Sequence, residues 1–353
     1  MTRYIIIGAG AVGASLAAQF ELSGLDYALV GRGAQIRHII DHGLAYQRPA
    51  GTRQIRLKAF DIAQPPSLRQ DDILLLTVKS QDVAEALAFW AWRAIEYSQE
   101  LTASDLPIVT FQNGLATEAA ALRLFPNVYG ASILTPARFT ETGRVVVGGD
   151  PQVAVVTIGR YPHGTDETAA KLVADLGRSD YIAETASDIQ RWKAAKLLHN
   201  VRNVLELFDG AEDERAAFSA ALVQETETVL KAAGHTFASH SERTVSIAHW
   251  KIAENSGIRA GQQSTWQSFT RGVSSEVDYL NGEIVLLGRL HGIVTPYNRV
   301  AQEIAGSAAR QGGFTALLPF ANLRRLAENH LSFSTLTHSR PKAHQTGGSR
   351  GFA

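Results

Sequence analysis

Short apolar runs alternate with longer mixed stretches along the first half of the chain. Tyr4 to Ile7 is β-branched and aromatic and stops at Gly8, and Ala11 to Glu21 is alanine-rich with helical character. Tyr27 to Val30 predicts a second buried strand, followed by a helix from Gln35 to Ile40. Asp72 to Val78 is a third central strand, with a helix from Val83 to Tyr97; Pro107 to Phe111 and Thr117 to Leu124 repeat the pair, and Asn127 to Leu134 is strand again. Strands apolar on both faces and separated by helices require right-handed crossovers and a parallel sheet covered on both sides. Two stretches break the alternation. Residues 43–60, with Pro49 and Gly51, predict a small hairpin. Arg144 to Val147 and Gln152 to Ile158, separated by Gly148, Gly149 and Pro151, predict an antiparallel addition at the sheet edge. A helix from Thr165 to Leu176 and a short strand from Tyr181 to Ala183 end this part.

From Ser187 the strand pattern stops and helical periodicity runs to about Glu328, broken at Gly210, Gly234, Gly272, Gly292 and Gly312. Ser187 with Gln190 three residues on has the form of a capping box opening the first of these helices. His291, before Gly292, is expected at a helix C-terminus. The chain therefore divides into an α/β domain, residues 1–186, an all-helical domain, residues 187–338, and a polar, Gly-rich mobile tail, residues 339–353.

The first helix of the second domain carries three faces where an amphipathic helix needs two. Lys196, Asn200 and Asn203 fall at i, i+4 and i+7 and share a stripe, with Lys193 one turn earlier. Beside it runs an apolar face of Leu197, Val201, Val204, Leu205 and Phe208; opposite lie Arg191, Arg202 and Glu206. A second polar face beside a core face is expected to wall a cleft. Lys193 is expected at its rim or on the surface.

Composition narrows the function classes. Lys+Arg and Asp+Glu number 34 each, so net charge gives no ground for a nucleic-acid or charged-membrane partner. The absence of cysteine excludes disulfides, a catalytic thiol and cysteine-ligated zinc, and no metal-binding motif is present. Met1 to Phe20 has the outline of a signal peptide, an early Arg and then apolar residues. Gly8, Gly10 and Gly13 interrupt it, and a strand followed by a helix accounts for it. No run approaches the ~20 apolar residues of a membrane span, and a soluble cytoplasmic protein is expected.

Gly8-Ala9-Gly10-Ala11-Val12-Gly13 is GxGxxG, placed where it carries meaning: after a strand, opening a helix, in a βαβ unit. Such a turn lets a pyrophosphate approach the backbone and meet the helix N-terminus. The first domain is thus a Rossmann-type doubly wound parallel sheet with antiparallel edge additions. An NAD-preferring site places an acid at the end of the second strand; here the strand ends Val30-Gly31-Arg32. Arginine suits a 2′-phosphate, so NADP is expected.

Several further motifs stand in order: VKSQD at 78–82, QNG at 112–114, KLLHN at 196–200, Ser264 with Glu276 twelve residues on, and HGIVTPYN at 291–298. With GAGAVG at 8–13 they make the chain resemble the ketopantoate reductases (2-dehydropantoate 2-reductases). The resemblance implies an NADPH-binding domain joined to a helical domain, and hydride transfer to the C2 carbonyl of a 2-oxo acid held between them. It makes Lys196 the catalytic lysine and Glu276 the acid closing over cofactor and lysine. Lys79 falls beside the cofactor, Asn113 near both nicotinamide and substrate, and Asn200 and Ser264 at substrate positions, with Asn203 beside them. The chain departs from the family where a second Asn should follow Asn200 by four residues: position 204 is Val. It departs again just past the helix, where Asp209-Gly210-Ala211 replaces a further Asn. Both departures concern the substrate's distal end, so a different oxo acid or an imine is an alternative substrate. An NADPH-binding redox sensor without turnover is the alternative of another class. Helical second domains of related dehydrogenases often pair; a homodimer is compatible with the sequence, and no feature of it specifies one.

Overall fold

The computed structural model describes residues 2–258, 264–270, 276–311 and 318–327. The tail expected at 339–353, the helix breaks at Gly272 and Gly312 and the end of the helical run near Glu328 lie outside them. The chain begins β1 (Arg3–Ile7), α1 (Ala11–Ser23), β2 (Tyr27–Gly31), α2 (Gly33–His42), β3 (Leu44–Arg48), β4 (Gly51–Ile55) and β5 (Ala59–Asp61). It continues β6 (Asp72–Leu76), α3 (Val83–Ala91), β7 (Ile108–Thr110), α4 (Ala116–Leu122), β8 (Val128–Leu134), β9 (Ala137–Glu141), β10 (Arg144–Val147) and β11 (Gly149–Asp150). Then come β12 (Val155–Arg160), α5 (Glu167–Arg178) and β13 (Ile182–Thr185).

The main sheet runs β13-β12-β8-β7-β6-β1-β2-β5. From β5 to β8 neighbours are parallel; β12 joins β8 antiparallel and β13 lies parallel to β12. Alternate residues of the central strands feed opposite faces. Tyr4, Ile6, Leu29 and Leu75 join one core with α1, and Ile5, Ile7, Leu74 and Leu76 join the other with α3. This is the doubly wound fold with antiparallel edge strands that the pattern predicts.

The edge reading needs one correction. Val145 to Val147 do not pair with β12; β10 lies parallel to β3 and antiparallel to β9, completing a second sheet, β4-β3-β10-β9. The reason is burial: Val145 and Val147 pack with Leu44, Tyr46 and α1 residues in one core, a cover the main sheet's edge does not offer. The hairpin expected over 43–60 is β3-β4, in this same sheet. The helix after β6 also ends early, at Ala91, and the chain turns back through a bridge between Ala94 and Thr102.

The second half comprises α6 (Ile189–Asn200), β14 (Phe208–Asp209), α7 (Glu212–Ala232), β15 (Lys251–Ile252), α8 (Ser264–Thr270), α9 (Asn281–Leu290), α10 (Pro296–Arg310) and β16 (Leu318–Pro319). Its own core includes Leu197, Val201, Val204, Phe208, Leu222, Ile284 and Val300. The cap of α6 is Asp188, whose carboxylate accepts from the Arg191 N–H at 3.4 Å; Ser187 lies one residue outside. His291 is the C-cap of α9, as expected. Over residues 233–258 the expected helical pattern gives way to an irregular strap. Its groups bond the first domain instead: Arg243 and Thr244 to Glu184, Trp250 to the Gln152 carbonyl, Ala253 to the Gly148 carbonyl. Side-chain and sheet-edge partners supply what helical hydrogen bonds otherwise would. Among the described residues no helix is long and apolar enough to cross a membrane.

Candidate active site

A cleft of about 1160 Å³ opens between the C-terminal ends of the central strands and α6. This is where open α/β sheets bind ligands. Its first wall is the glycine turn between β1 and α1, where Gly8, Ala9, Gly10, Ala11 and Val12 line the space. Gly8 has φ +117°, and a Cβ there would stand 2.9 Å from the Val78 nitrogen. A Cβ on Gly13 would stand 1.9 Å from the Gly8 carbonyl oxygen, so Gly13 lies behind the turn and lets helix meet strand. Gly10 faces open space and caps α1 with extended backbone. The three positions divide the work as a pyrophosphate-binding turn requires, and the α1 N–H groups face the opening.

Arg32, at the end of β2, lines the same cleft half exposed. Its guanidinium is held by Asp82 at 2.8 Å and Glu85 at 2.9 Å, both also on the cleft wall. The sequence placed no acid at the end of β2; these two reach it from the start of α3.

Beyond β6, Lys79 donates to Glu276 at 2.5 Å, and the Ser80 hydroxyl donates to the other carboxylate oxygen at 3.1 Å. Glu276 stands in a single 3₁₀ turn, Glu276–Tyr279, and is 4% exposed. Burial alone would raise its pKa; the Lys79 charge and the Lys79 and Ser80 hydrogen bonds outweigh it and hold the carboxyl below its ordinary value. Glu276 therefore bonds Lys79 and Ser80 directly. It acts on Lys196 only across space.

After β7, the side chain of Gln112 donates to the carbonyls of Leu76 and Val78 at 2.9 and 2.8 Å. This ties the ends of β6 and β7 together and sets the following Asn113 on the cleft wall. Gly114 has φ +83°, and a Cβ there would meet the Tyr279 carbonyl at 2.5 Å. The Gly of the QNG motif thus permits contact with the turn that carries Glu276.

The floor is α6. Lys196, Asn200 and Asn203 all line the cleft, while Leu197, Val201 and Val204 enter the helical core. The α-helix ends at Asn200 and continues as a 3₁₀ helix, Val201–Leu207. With three residues per turn there, Asn203 falls directly over Asn200, so the stripe survives the change of helix type. Lys196 donates to the Ile133 carbonyl of β8. Burial, then the nearby Lys193 charge, lower its pKa from the usual lysine range to about 7, against the opposing pull of Glu276. Ser264 opens α8; its side chain lies outside the described residues.

Lys193 is the clearest misplacement. Expected at the rim or surface, it is 3% exposed and lies off the cleft, paired with Glu118 of α4 and donating to the Gln112 carbonyl at 3.1 Å. A carboxylate partner 75 residues away in sequence makes that burial tolerable, and helical periodicity carries no sign of such a partner. Sequence reasoning also missed Ser80, Gln112, Asp82 and Glu85. Ser80, Gln112 and Asp82 lay inside motifs it had quoted. Among the described residues no group of His, Asp and Glu could hold a metal ion.

Comparison with known proteins identifies the family. The family model described as ketopantoate reductase PanE/ApbA matches residues 4–162, and that of its C-terminal domain matches residues 190–307. A 2-dehydropantoate 2-reductase of Archaeoglobus fulgidus is 28% identical over 306 residues, 84% of this chain and 94% of that one. The 2-dehydropantoate 2-reductase of Pyrococcus horikoshii is 25% identical over 319 residues, 88% of this chain and 99% of that one. Among solved structures, a ketopantoate reductase from Ralstonia eutropha superposes with TM-score 0.70 at 23% identity, covering 88% of this chain and 99% of that one. D-mandelate dehydrogenase with NADH and anilino(oxo)acetate gives TM-score 0.70 at 19% identity and the same coverage, a likeness of fold. Both family models match in order, one on each side of the cleft, and the chain belongs to the ketopantoate reductase family.

Proposed function

We propose that the protein is an NADPH-dependent reductase of a small 2-oxo acid, ketopantoate foremost, and that Lys196 delivers the proton. The observation that carries this reading is a lysine with its pKa lowered to about 7, on the floor of the cleft whose wall is a dinucleotide-binding turn. The glycine turn, Lys79 and Asn113 suit a nicotinamide dinucleotide, with Arg32 the group for a 2′-phosphate. The bound cofactor supplies the hydride. The chain's own residues do the rest. Asn200, Asn203 and Ser264 hold the acid by neutral donors, and the Lys196 ammonium faces the ketone oxygen, where negative charge develops. It then gives that oxygen its proton, and a donor with pKa near the working pH is the efficient choice. Glu276, anchored by Lys79 and Ser80, keeps a negative charge near the ammonium. A cytoplasmic homodimer completes the reading; the ketopantoate reductase structure from Staphylococcus aureus is described as dimeric.

A second substrate is favoured by specific positions. The family's second Asn is replaced by Val204, buried in the helical core, and the next by the exposed Asp209-Gly210-Ala211 loop. An acid without ketopantoate's distal hydroxyl would not need them. The test is NADPH oxidation followed by absorbance with ketopantoate and a panel of 2-oxo acids and imines. The lead expects the highest kcat/KM for ketopantoate. A low rank for ketopantoate selects the other substrate, and NADPH binding with no oxidation by any of them selects the sensor.

A further inference from the structure

Lys193 and Glu118 form a buried ion pair that the reaction as described above does not use. Both are almost fully enclosed, at 3% and 2% exposure. Every partner of the pair is structural: Lys193 donates to the Gln112 carbonyl at 3.1 Å, and Glu118 accepts from the Thr110 hydroxyl at 2.5 Å. The desolvation of two buried charges can exceed their attraction, and it is offset only where the geometry is good and hydrogen bonds satisfy their remaining polar atoms. Packing alone is met more cheaply by apolar residues.

The pair's position shows what else it serves. Lys193 stands three residues before Lys196 on α6, and Gln112 stands one residue before Asn113. One ammonium therefore ties the helix carrying the proposed proton donor to the segment carrying Asn113, across the junction of the two halves. We propose that Lys193 is a positioning residue for the reduction: it clamps the Gln112 carbonyl to α6 and sets a fixed positive charge one turn from Lys196. This rests on the reading of Lys196 above.

Among the described residues, few charges bear on Lys196. On its own helix are Lys193 and His199, and Glu276 faces it from the 276–279 turn with Lys79 behind. Glu118 backs Lys193 from α4, and its charge bears on Glu283 of α9 and on Tyr161. Burial and then Lys193 push the Lys196 ammonium toward release of its proton; Glu276 pushes back. Removing the positive charge at 193 must therefore raise the pKa of Lys196.

The test compares the wild type with K193M, K193R and the double variant K193M/E118M, which replaces the whole pair with apolar side chains of similar length and so keeps the fold if K193M alone does not. Two readouts are taken: the pH dependence of kcat/KM for oxo-acid reduction, and the pH dependence of Lys196 acylation by acetic anhydride, followed by peptide mass spectrometry. In the wild type both should report a midpoint near 7. K193M or the double variant should move both midpoints up by about one pH unit, and K193R should restore them. A merely structural role would lower kcat/KM at every pH and leave both midpoints in place, which overturns the proposal. So does a K193R variant that behaves like K193M. If the wild type reduces no oxo acid, the functional reading fails, and the acylation midpoints alone still decide whether Lys193 governs Lys196.

Discussion

The glycine turn and the floor of α6 face each other across one cleft, and they are built by opposite means. The turn is made of backbone: Gly8, Gly10 and Gly13 act by what they lack, and the atoms a Cβ would meet belong to Gly8 of the turn itself and to Thr77 and Val78 just after β6. The floor is made of side chains whose partners come from far away. Lys196 reaches the Ile133 carbonyl of β8, Lys193 reaches Glu118, and Glu276 closes on Lys79 from 197 residues distant. A backbone site tolerates changes that keep space and φ; a side-chain site fails when one charge is moved. Substitutions on the two walls should therefore separate binding from chemistry.

The largest effect is expected on the floor. Lys196→Ala removes the proposed proton donor and should lower turnover by about 10²–10⁴-fold. Dinucleotide binding, followed by nicotinamide fluorescence, should stay near the wild-type value because the opposite wall is untouched. Near-normal turnover would take Lys196 out of the reaction. The pH dependence follows from the same group. Its pKa is lowered to about 7, so the protonated donor is present below that value and lost above it. Reduction should fall as pH rises through about 7, and oxidation of the hydroxy acid, which needs the neutral amine as base, should rise over the same range.

On the facing wall, Gly13→Ala and Gly10→Ala should part company. A Cβ at 13 would meet a backbone oxygen that cannot move aside, and overpacking of this kind costs about 1–3 kcal/mol. Gly13→Ala should therefore lower Tm. Gly10→Ala meets nothing and should leave Tm unchanged while weakening dinucleotide affinity, since its methyl enters the space the phosphates approach. Equal Tm losses in the two variants would refute the division of labour among the glycines.

The same contrast explains what could be read from the chain. The central strands, the turn and the cleft-facing stripe of α6 are local patterns, and each stands where its pattern placed it. Asn203 kept its place although the helix changes type at Asn200, because three residues per 3₁₀ turn substitute for the expected spacing. What the sequence did not disclose is long-range. Val145 to Val147 read as half of an edge hairpin, and only packing against α1 and β3 sends them to a second sheet. Lys193 and Lys196 look alike on a helical projection; a carboxylate on α4 buries one and leaves the other on the cleft. Asp82 and Glu85 sit beside Arg32 only because α3 begins where β2 ends in space.

Glu276 gives a smaller effect with a definite sign. Its negative charge raises the pKa of Lys196 against burial and Lys193. Glu276→Gln should shift the fall in reduction activity to lower pH, by less than about one unit. The freed Lys79 cation pushes the same way, so an upward shift would refute the role given to the Glu276 charge.

The smallest effect is expected at Arg32, and it tests the proposed choice of dinucleotide. Its two ion pairs are exposed, and exposed pairs contribute about 0–1 kcal/mol each. A 2′-phosphate must share the guanidinium with the Asp82 and Glu85 carboxylates, so discrimination against NADH should be modest. Arg32→Ala should weaken NADPH by about tenfold or less and leave NADH nearly unchanged, as measured by titration of nicotinamide fluorescence. The double variant D82N/E85Q should do the reverse, tightening NADPH a few-fold by releasing the arginine and removing two negative charges from the phosphate's surroundings, with the gain shrinking at high salt. If both variants leave the ratio of the two affinities where it was, Arg32 does not read the 2′-phosphate, and the proposed preference for NADPH loses its support.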